Sequence, residues 1–431
     1  MTTNPSELEI VGPRPLRGRL RLPGDKGISH RALFAGALAD GTSRIAHAAP
    51  GDDVARTRAA LEVLGVKVST DGDDLVVGGR GVRALREPSV VVDCGNSGTT
   101  MRMTAGLVAG CDFLTVLIGD HSLSARPMAR VADPLRTLGA TIDGRDGGRL
   151  APLVVRGGGL TGTRIEPAVA SGQVKTALVL AGLHADGVTE IVEPAASRDH
   201  TERLLRALGA PVETVDDRTV RVTRGAPSAF ELDVAGDPSS AAFLVVAALV
   251  APGSELVLED VLLNPGRIGF VDVLRRMGGD VTIQETGDRL GEPVGDIEVR
   301  ASSLVATEIA CSEPIIDEVP ALAVAAAFAE GTTDIRDAAE LRVKESDRIA
   351  TLVQELTELG IEVEARDDGL SIRGGNPRRG TFKSHGDHRV AMAAAIAANA
   401  TEGPSTVRGW QAVGVSYPGF AADLDQLAGS G

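Results

Sequence analysis

One kind of segment recurs six times in this chain, and no other feature limits the fold as much. Each copy opens on small or polar residues, runs through an Ala/Leu/Val-rich stretch and stops near a glycine. The copies are GDKGISHRALFAGALADG from Gly24, GNSGTTMRMTAGLVAG from Gly95, SGQVKTALVLAGLHADG from Ser171, GDPSSAAFLVVAALVAPG from Gly236, DEVPALAVAAAFAEG from Asp317 and GDHRVAMAAAIAANATEG from Gly386. Their starts lie 71, 76, 65, 81 and 69 residues apart. A second signature sits between them: an amphipathic helix ending in Leu-Gly or Met-Gly, then a strand, an acidic turn and another strand. It is clear around Gly65, Gly139, Gly209, Gly278 and Gly360, and FAADLDQLAG near the C-terminus reads as a truncated sixth copy.

A run that is apolar on every side must be buried on every side. Each unit therefore predicts a buried helix, a strand, an amphipathic helix, a strand, a turn and a strand. The Leu-Gly junctions read as helix C-caps, where glycine takes the left-handed conformation without a Cβ penalty, and DGDD, DGRD and RDDG read as hairpin turns. Six such units make an α/β protein. A solenoid is the general alternative for any repeat. An all-round apolar helix, however, needs sheets wrapped about it, which favours two compact bundles of three units. At 431 residues the chain also exceeds what one core sustains. The expected domains are 1–22 plus 235–431, discontinuous and holding copies four to six, and 23–234, inserted and holding copies one to three. The short N-terminal segment is expected to supply a strand that the truncated sixth unit lacks.

Composition removes several function classes. The formal charge is -15, against the phosphate-neutralising surface of a nucleic-acid binder, and aromatic residues are only 2% of the chain, too few for base-stacking platforms. Cys94, Cys111 and Cys311 are odd in number, widely spaced and without a CxxC, which fits neither a disulfide framework nor a zinc site. A reducing, cytoplasmic setting is the expectation. MTTNPSELEIVG lacks the basic and apolar regions of a secretory signal, and the longest apolar run, Ala241 to Ala251, is shorter than the roughly 20 residues of a membrane span. Neither nucleic acid nor membrane is expected as a partner.

The starts of the buried helices are where chemistry collects, because unpaired N–H groups and the positive end of the helix dipole point outward there. These starts carry Lys26, Ser29 and Arg31; Asn96, Ser97, Thr99 and Arg102; Ser171, Gln173 and Lys175; and His388 and Arg389. Arg offers a planar fork and Lys a point charge, a mixture suited to a ligand with more than one anionic group. A helix opening with Gly, Ser or Asp is by itself usually only capped. Recurrence of basic residues at such starts in an acidic protein points to anion binding. GDHSLSARPMAR adds Arg126, and LRVKESDR adds Lys344, Glu345, Asp347 and Arg348, which read as the opening of an amphipathic helix with a salt-bridged face. Asp317 reads on its own as an N-cap.

The runs PGDKGISHRA, GNSGTTMR, RPM, SGQVK, SRDHTERLL, GDPSSAAF, IIDEVPALAVAAAFAEG, LRVKESDRI and DHRVAMA, in that order from about Leu22 to Pro418, resemble the enolpyruvyl transferases. The resemblance is strongest to the branch acting on shikimate 3-phosphate, in its class II form. It implies a two-domain inverse α/β barrel, each domain three βαβαββ units, with the chain crossing over twice and the substrates between the domains. It implies transfer of the carboxyvinyl group of phosphoenolpyruvate to the 5-hydroxyl of shikimate 3-phosphate, a step of aromatic amino-acid biosynthesis, by a monomer with no cofactor and no metal. By the same resemblance Asp317 is the base at the hydroxyl, Glu345 the proton donor to the methylene carbon, and Lys26 a cation and proton relay. Shikimate 3-phosphate is then matched by Lys26, Gly27, Arg31, Ser171, Gln173, Ser197, Arg198, Asp317 and Lys344. Phosphoenolpyruvate is matched by Lys26, Asn96, Gly98, Arg126, Gln173, Lys344, Arg348, His388 and Arg389.

Two positions depart from the family pattern. Gly27 stands where a serine usually follows the lysine, deleting a hydroxyl, and Gly172 stands where Ser or Ala is usual. Gly27 leaves two alternatives open, another acceptor or a weakly active paralogue. The sister enzyme acting on UDP-N-acetylglucosamine carries a reactive cysteine before its Arg-Pro, and HSLSARP has none. A related-fold RNA 3'-phosphate cyclase is disfavoured by the acidity and the scarcity of aromatic residues.

Overall fold

The computed structural model describes residues 4–82, 84–311 and 315–429. Its six apolar runs are six buried helices: Lys26–Leu38, Gly98–Ala109, Gly172–Gly182, Pro238–Val250, Val319–Ala327 and His388–Ala400. Burial follows from composition. In Pro238–Val250 every residue from Pro238 to Leu249 is inaccessible to solvent or nearly so. Five of the six helices are started by a side-chain cap: Asp25, Ser97, Ser171, Asp237 and Asp387 each accept a backbone N–H of the first turn. The fifth, Val319–Ala327, has Glu318 at the cap position with no side-chain cap bond, so Asp317 is not the N-cap that its sequence context suggests.

Chain contacts divide the molecule into two units, one of Met1–Pro23, Ala235–Gly287 and Pro293–Gly431, the other of Gly24–Val234 with Asp288–Glu292. We call them the discontinuous and the inserted unit. Membership of Asp288–Glu292 in the inserted unit is not foreseen by the sequence reading. This short segment is a hairpin tip whose Arg289 and Gly291 bond to Asp233 and Arg203.

In the inserted unit each buried helix has its own four-stranded sheet. The second unit shows the pattern: Val92–Asp93 at one edge runs parallel to Leu114–Ile118, which is antiparallel to Leu150–Arg156, which is antiparallel to Thr141–Arg145. Arg164–Ile165, Val188–Val192, Thr219–Thr223 and Val212–Thr214 repeat this order. So do Glu231–Asp233, Asp40–Ala46, Asp74–Arg80 and Lys67–Asp71. In the last of these the parallel edge strand comes from far along the chain, just before the chain leaves the unit. In the sheets that begin with Val92–Asp93 and Arg164–Ile165 the buried helix joins the first and second strands, and in all three sheets the amphipathic helix joins the second and fourth in spatial order. The two-residue Gly72-Asp73 turn closes the Lys67–Asp71 hairpin, where Asp71 faces Asp74.

The discontinuous unit is built likewise. Arg17–Arg21 is the parallel edge of the sheet Glu255–Leu262, Glu292–Arg300 and Asp280–Arg289. A second sheet runs Glu308–Ala310, Thr332–Arg336, Gly369–Arg373 and Glu362–Arg366. The third has three strands: Glu7–Gly12 pairs antiparallel with Gly403–Arg408, which runs parallel to Thr381–Lys383. The N-terminal strand therefore stands where the truncated sixth unit has no hairpin of its own.

The five Leu-Gly and Met-Gly junctions, at Gly65, Gly139, Gly209, Gly278 and Gly360, all have positive φ, between 75° and 112°, which a side chain would oppose. Gly106 serves differently. A Cβ there would stand 2.2 Å from the Ala177 carbonyl oxygen, so its absence lets the second and third buried helices touch backbone to backbone. Among the described residues no helix is long and apolar enough to cross a membrane.

Candidate active site

In the inserted unit the polar residues at the three helix starts form one connected set. Lys26 opens the first helix and its Nζ lies 2.9 Å from Asp53 Oδ2, both largely shielded. Arg31, one turn on and buried, donates from Nε to Thr201 at 2.7 Å, from Nη1 to the Gly27 carbonyl at 3.0 Å, and from Nη2 to Thr176 at 3.1 Å and the Gly172 carbonyl at 3.3 Å. The two glycines that depart from the family pattern are thus both tied to one guanidinium. A Cβ on Gly172 would meet Arg198 Cβ at 3.3 Å, a tight but not prohibitive contact.

The second and third starts interlock. Arg102 Nη1 donates to Gln173 Oε1 at 2.5 Å, and Gln173 Nε2 donates to Thr99 at 2.9 Å. Arg126 Nη2 donates to Asn96 Oδ1 at 2.6 Å, while Asn96 Nδ2 donates to Asp120 at 2.7 Å. Gly98 lies under both guanidiniums: a Cβ there would be 3.0 Å from Arg102 Nη1 and 3.6 Å from Arg126 Nη1. The missing side chain keeps the first-turn N–H groups approachable, which is what an anion needs. Ser171 caps the third helix, and Ser197 has its hydroxyl oxygen buried with no hydrogen-bond partner.

Ser29 and Lys175, singled out at the helix starts, are otherwise employed. Ser29 donates to the Asp25 carbonyl and accepts from Ala49 N–H. Lys175 is buried between Glu193 and Glu202, at 2.9 and 2.8 Å.

In the discontinuous unit Arg348 is the centre of a cluster. It is fully buried; Nε donates to Asp387 at 2.8 Å and Nη2 to Glu345 at 2.7 Å, and Nη1 lies 3.6 Å from Asp317 without a hydrogen bond. Burial works against the guanidinium's charge, but Asp387, Glu345 and Asp317 outweigh it and hold Arg348 more firmly protonated than usual. Burial likewise opposes ionisation of Asp387, yet Arg348 keeps that carboxyl below its ordinary value.

Lys344 Nζ is 3.6 Å from the same Asp317 oxygen, and Arg389 donates from Nη1 to the Asp317 carbonyl at 2.6 Å. Asp317 thus faces three cations. His388, the first residue of the sixth buried helix, is buried beside them. Lys344 and Glu345 do not begin an amphipathic helix, as the spacing suggests. Asp347 takes the N-cap by accepting from Ala350 N–H, the helix runs Arg348–Glu358, and Lys344 and Glu345 stay in the preceding loop.

The sequence reading missed the acidic partners. Asp53, Asp120 and Asp387 hold Lys26, Asn96 and Arg348. In addition Arg267, buried in NPGRIGF, donates to Asp237 and Ser239, and Ser239 donates to Glu318. Only Asp387 and Asp237 carry a local signal, as helix caps. One trio among the described residues has metal-ligand spacing, Asp199, His200 and Glu292. Its atoms are engaged with Arg203 and with each other.

These arrangements can hold multiply charged anions and move protons, which is what comparison with known proteins bears on. The family model of EPSP synthase (3-phosphoshikimate 1-carboxyvinyltransferase) matches residues 10–424. The 3-phosphoshikimate 1-carboxyvinyltransferase of Geobacillus kaustophilus (strain HTA426) is 50% identical over 422 residues, covering 96% of this chain and 98% of that protein. The protein of the same name from Synechococcus sp. (strain JA-3-3Ab) is 48% identical over 437 residues, covering 99% and 98%. The solved EPSP synthase of Acinetobacter baumannii superposes with a TM-score of 0.87 at 38% identity, covering 98% of each chain. The enolpyruvyl transferase NikO from Streptomyces tendae shares the mixed α/β fold, with a TM-score of 0.78 at 21% identity, covering 98% of this chain and 97% of that one. The chain belongs to the EPSP synthase (3-phosphoshikimate 1-carboxyvinyltransferase) family.

Proposed function

We propose that this chain transfers the carboxyvinyl group of phosphoenolpyruvate to the 5-hydroxyl of shikimate 3-phosphate and releases phosphate, with the architecture of a two-domain inverse α/β barrel. The observation that carries the reading is the near-complete, 50% identical match to a relative of that name, in a chain that keeps Lys26, Asp317 and Glu345 in charged, shielded surroundings.

Asp317 takes the proton from the 5-hydroxyl as its oxygen bonds to C2 of phosphoenolpyruvate. Glu345 delivers a proton to C3, turning the methylene into a methyl group. The tetrahedral product then loses phosphate: the C2–O bond to phosphorus breaks, C3 gives its proton back, and Lys26 meets the charge on the departing oxygen. Lys344, Arg348 and Arg389 surround and orient the Asp317 carboxylate, and the Arg348 contact aims Glu345. Arg31, Ser171, Gln173, Ser197, Arg198 and Lys344 hold shikimate 3-phosphate, with Gly27 beside it. Asn96, Gly98, Arg126, Gln173, Lys344, Arg348, His388 and Arg389 hold phosphoenolpyruvate.

The buried free thiols of Cys94, Cys111 and Cys311 suit a reducing cytoplasm, and we assign a monomer there. The test is phosphate release from phosphoenolpyruvate with and without shikimate 3-phosphate. Release that depends on the acceptor is the expected result; release independent of it, or none with both ligands present, overturns the reading.

A further inference from the structure

Three charges sit where the third buried helix would otherwise be apolar all round. Lys175 is 3% exposed, Glu193 1% and Glu202 2%, with the ammonium 2.9 Å from Glu193 Oε2 and 2.8 Å from Glu202 Oε1. Burying such a trio costs desolvation that well-packed hydrophobic residues would avoid, so stability alone does not account for it. Its outward bonds do. Glu193 Oε1 accepts the Ser171 N–H at 3.3 Å, and the Lys175 ammonium donates to the Ser197 carbonyl at 3.4 Å. Both serine backbones are fastened from below, while the hydroxyls are left available: Ser197 Oγ is buried and unbonded, and Ser171 Oγ receives one long contact, 3.5 Å, from Val174 N–H.

We propose that Lys175, Glu193 and Glu202 are positioning residues that fix Ser171 and Ser197 as hydroxyl donors to the phosphate of shikimate 3-phosphate, a role that rests on the reading given above for those serines. Charge fits the assignment. With both carboxylates ionised the trio would carry one excess negative charge beside a dianion. Burial, outweighing Lys175, pushes the Glu202 carboxyl up toward its neutral form, and Glu202 Oε2 has no hydrogen-bond partner.

Lys175→Met alone would strand two buried carboxylates and unfold the unit, so the informative variant is Lys175→Met/Glu193→Gln/Glu202→Gln, which keeps the volume and removes every charge. Calorimetric titration with shikimate 3-phosphate, the KM for phosphoenolpyruvate and the urea unfolding midpoint are measured on the full chain. The expected result is an unfolding midpoint at or above that of the parent, a phosphoenolpyruvate KM within about twofold, and a shikimate 3-phosphate Kd raised about tenfold, the effect of roughly one misplaced hydrogen bond. Glu193→Gln alone retains the oxygen that accepts from Ser171 and should lose much less than Glu193→Ala. A triple variant whose shikimate 3-phosphate Kd stays within twofold overturns the proposal, as does an equal loss for both ligands, which would mark a merely structural trio. Absence of shikimate 3-phosphate binding by the parent protein is read before any variant; it refutes the functional assignment itself and the positioning role with it.

Discussion

Replacing Arg348 with methionine removes the hub of the discontinuous unit's cluster, and the structure sets the size of the effect. The guanidinium makes charge-assisted bonds to Asp387 at 2.8 and 3.3 Å and to Glu345 at 2.7 Å. Glu345 is about one-fifth exposed and can rehydrate, whereas Asp387 is fully buried and keeps only its capping bonds to Arg389 N–H and Ser346. Stranding one buried charge costs about 3–5 kcal/mol. At about 2–4 °C per kcal/mol for a unit of roughly two hundred residues, Tm should fall by about 6–20 °C.

The pH dependence separates this cause from lost packing. In the parent Asp387 titrates below its ordinary value, so its contribution is present above about pH 4 and is lost as pH falls through the lower folded pKa. In Arg348→Met the largest charge opposing burial is gone and that pKa rises, so stability is present at acid pH and lost as pH rises through the raised value. The gap between the two proteins should therefore be widest near neutrality and narrow toward about pH 4. Urea unfolding at a series of pH values measures it. A gap below about 1 kcal/mol, or one that stays flat across that range, would refute the reasoning.

Other consequences are as direct. Gly27→Ser should lower the shikimate 3-phosphate KM by roughly threefold, because a hydroxyl is restored beside Lys26 while the carbonyl that Arg31 holds stays in place; steady-state kinetics of both forms check it, and a loss of activity would mark a repacked site. Gly106→Ala should cost about 1–3 kcal/mol in urea unfolding, since its methyl cannot occupy a position 2.2 Å from the Ala177 oxygen without parting two helices. Burial pushes the thiols of Cys94, Cys111 and Cys311 up to about 12, so a chromogenic disulfide reagent at pH 8 should find no fast-reacting thiol in the native protein and three after denaturation.

The repeat was legible because its punctuation is local. Each amphipathic helix ends on a glycine that must take positive φ, and each buried helix is apolar all round, so both declare themselves within a dozen residues. The parallel edge strands did not: Val92–Asp93, Arg164–Ile165 and Glu231–Asp233 are two or three residues long and carry no periodicity. Their register is set by the neighbouring strand.

At the candidate site the cations stood out as basic residues at helix starts in an acidic chain. Their acidic partners did not, because Asp53, Glu193 and Glu202 meet Lys26 and Lys175 through tertiary packing at spacings of 27, 18 and 27 residues, which no local pattern reports. The LRVKESDR segment misled for a related reason. Its charges have helical spacing, but Asp347 captures the Ala350 N–H and starts the helix late, leaving Lys344 and Glu345 in a loop where they meet Asp317 and Arg348.

Proton traffic at C3 of phosphoenolpyruvate is the step that the assigned chemistry requires. With phosphoenolpyruvate and shikimate 3-phosphate turned over in deuterium oxide, the methylene passes through a methyl group before elimination. Proton NMR should therefore show deuterium in the vinyl positions of the product, and Glu345→Gln should lose both turnover and exchange. Unlabelled product formed at the parent rate, or undiminished exchange in Glu345→Gln, would contradict the account.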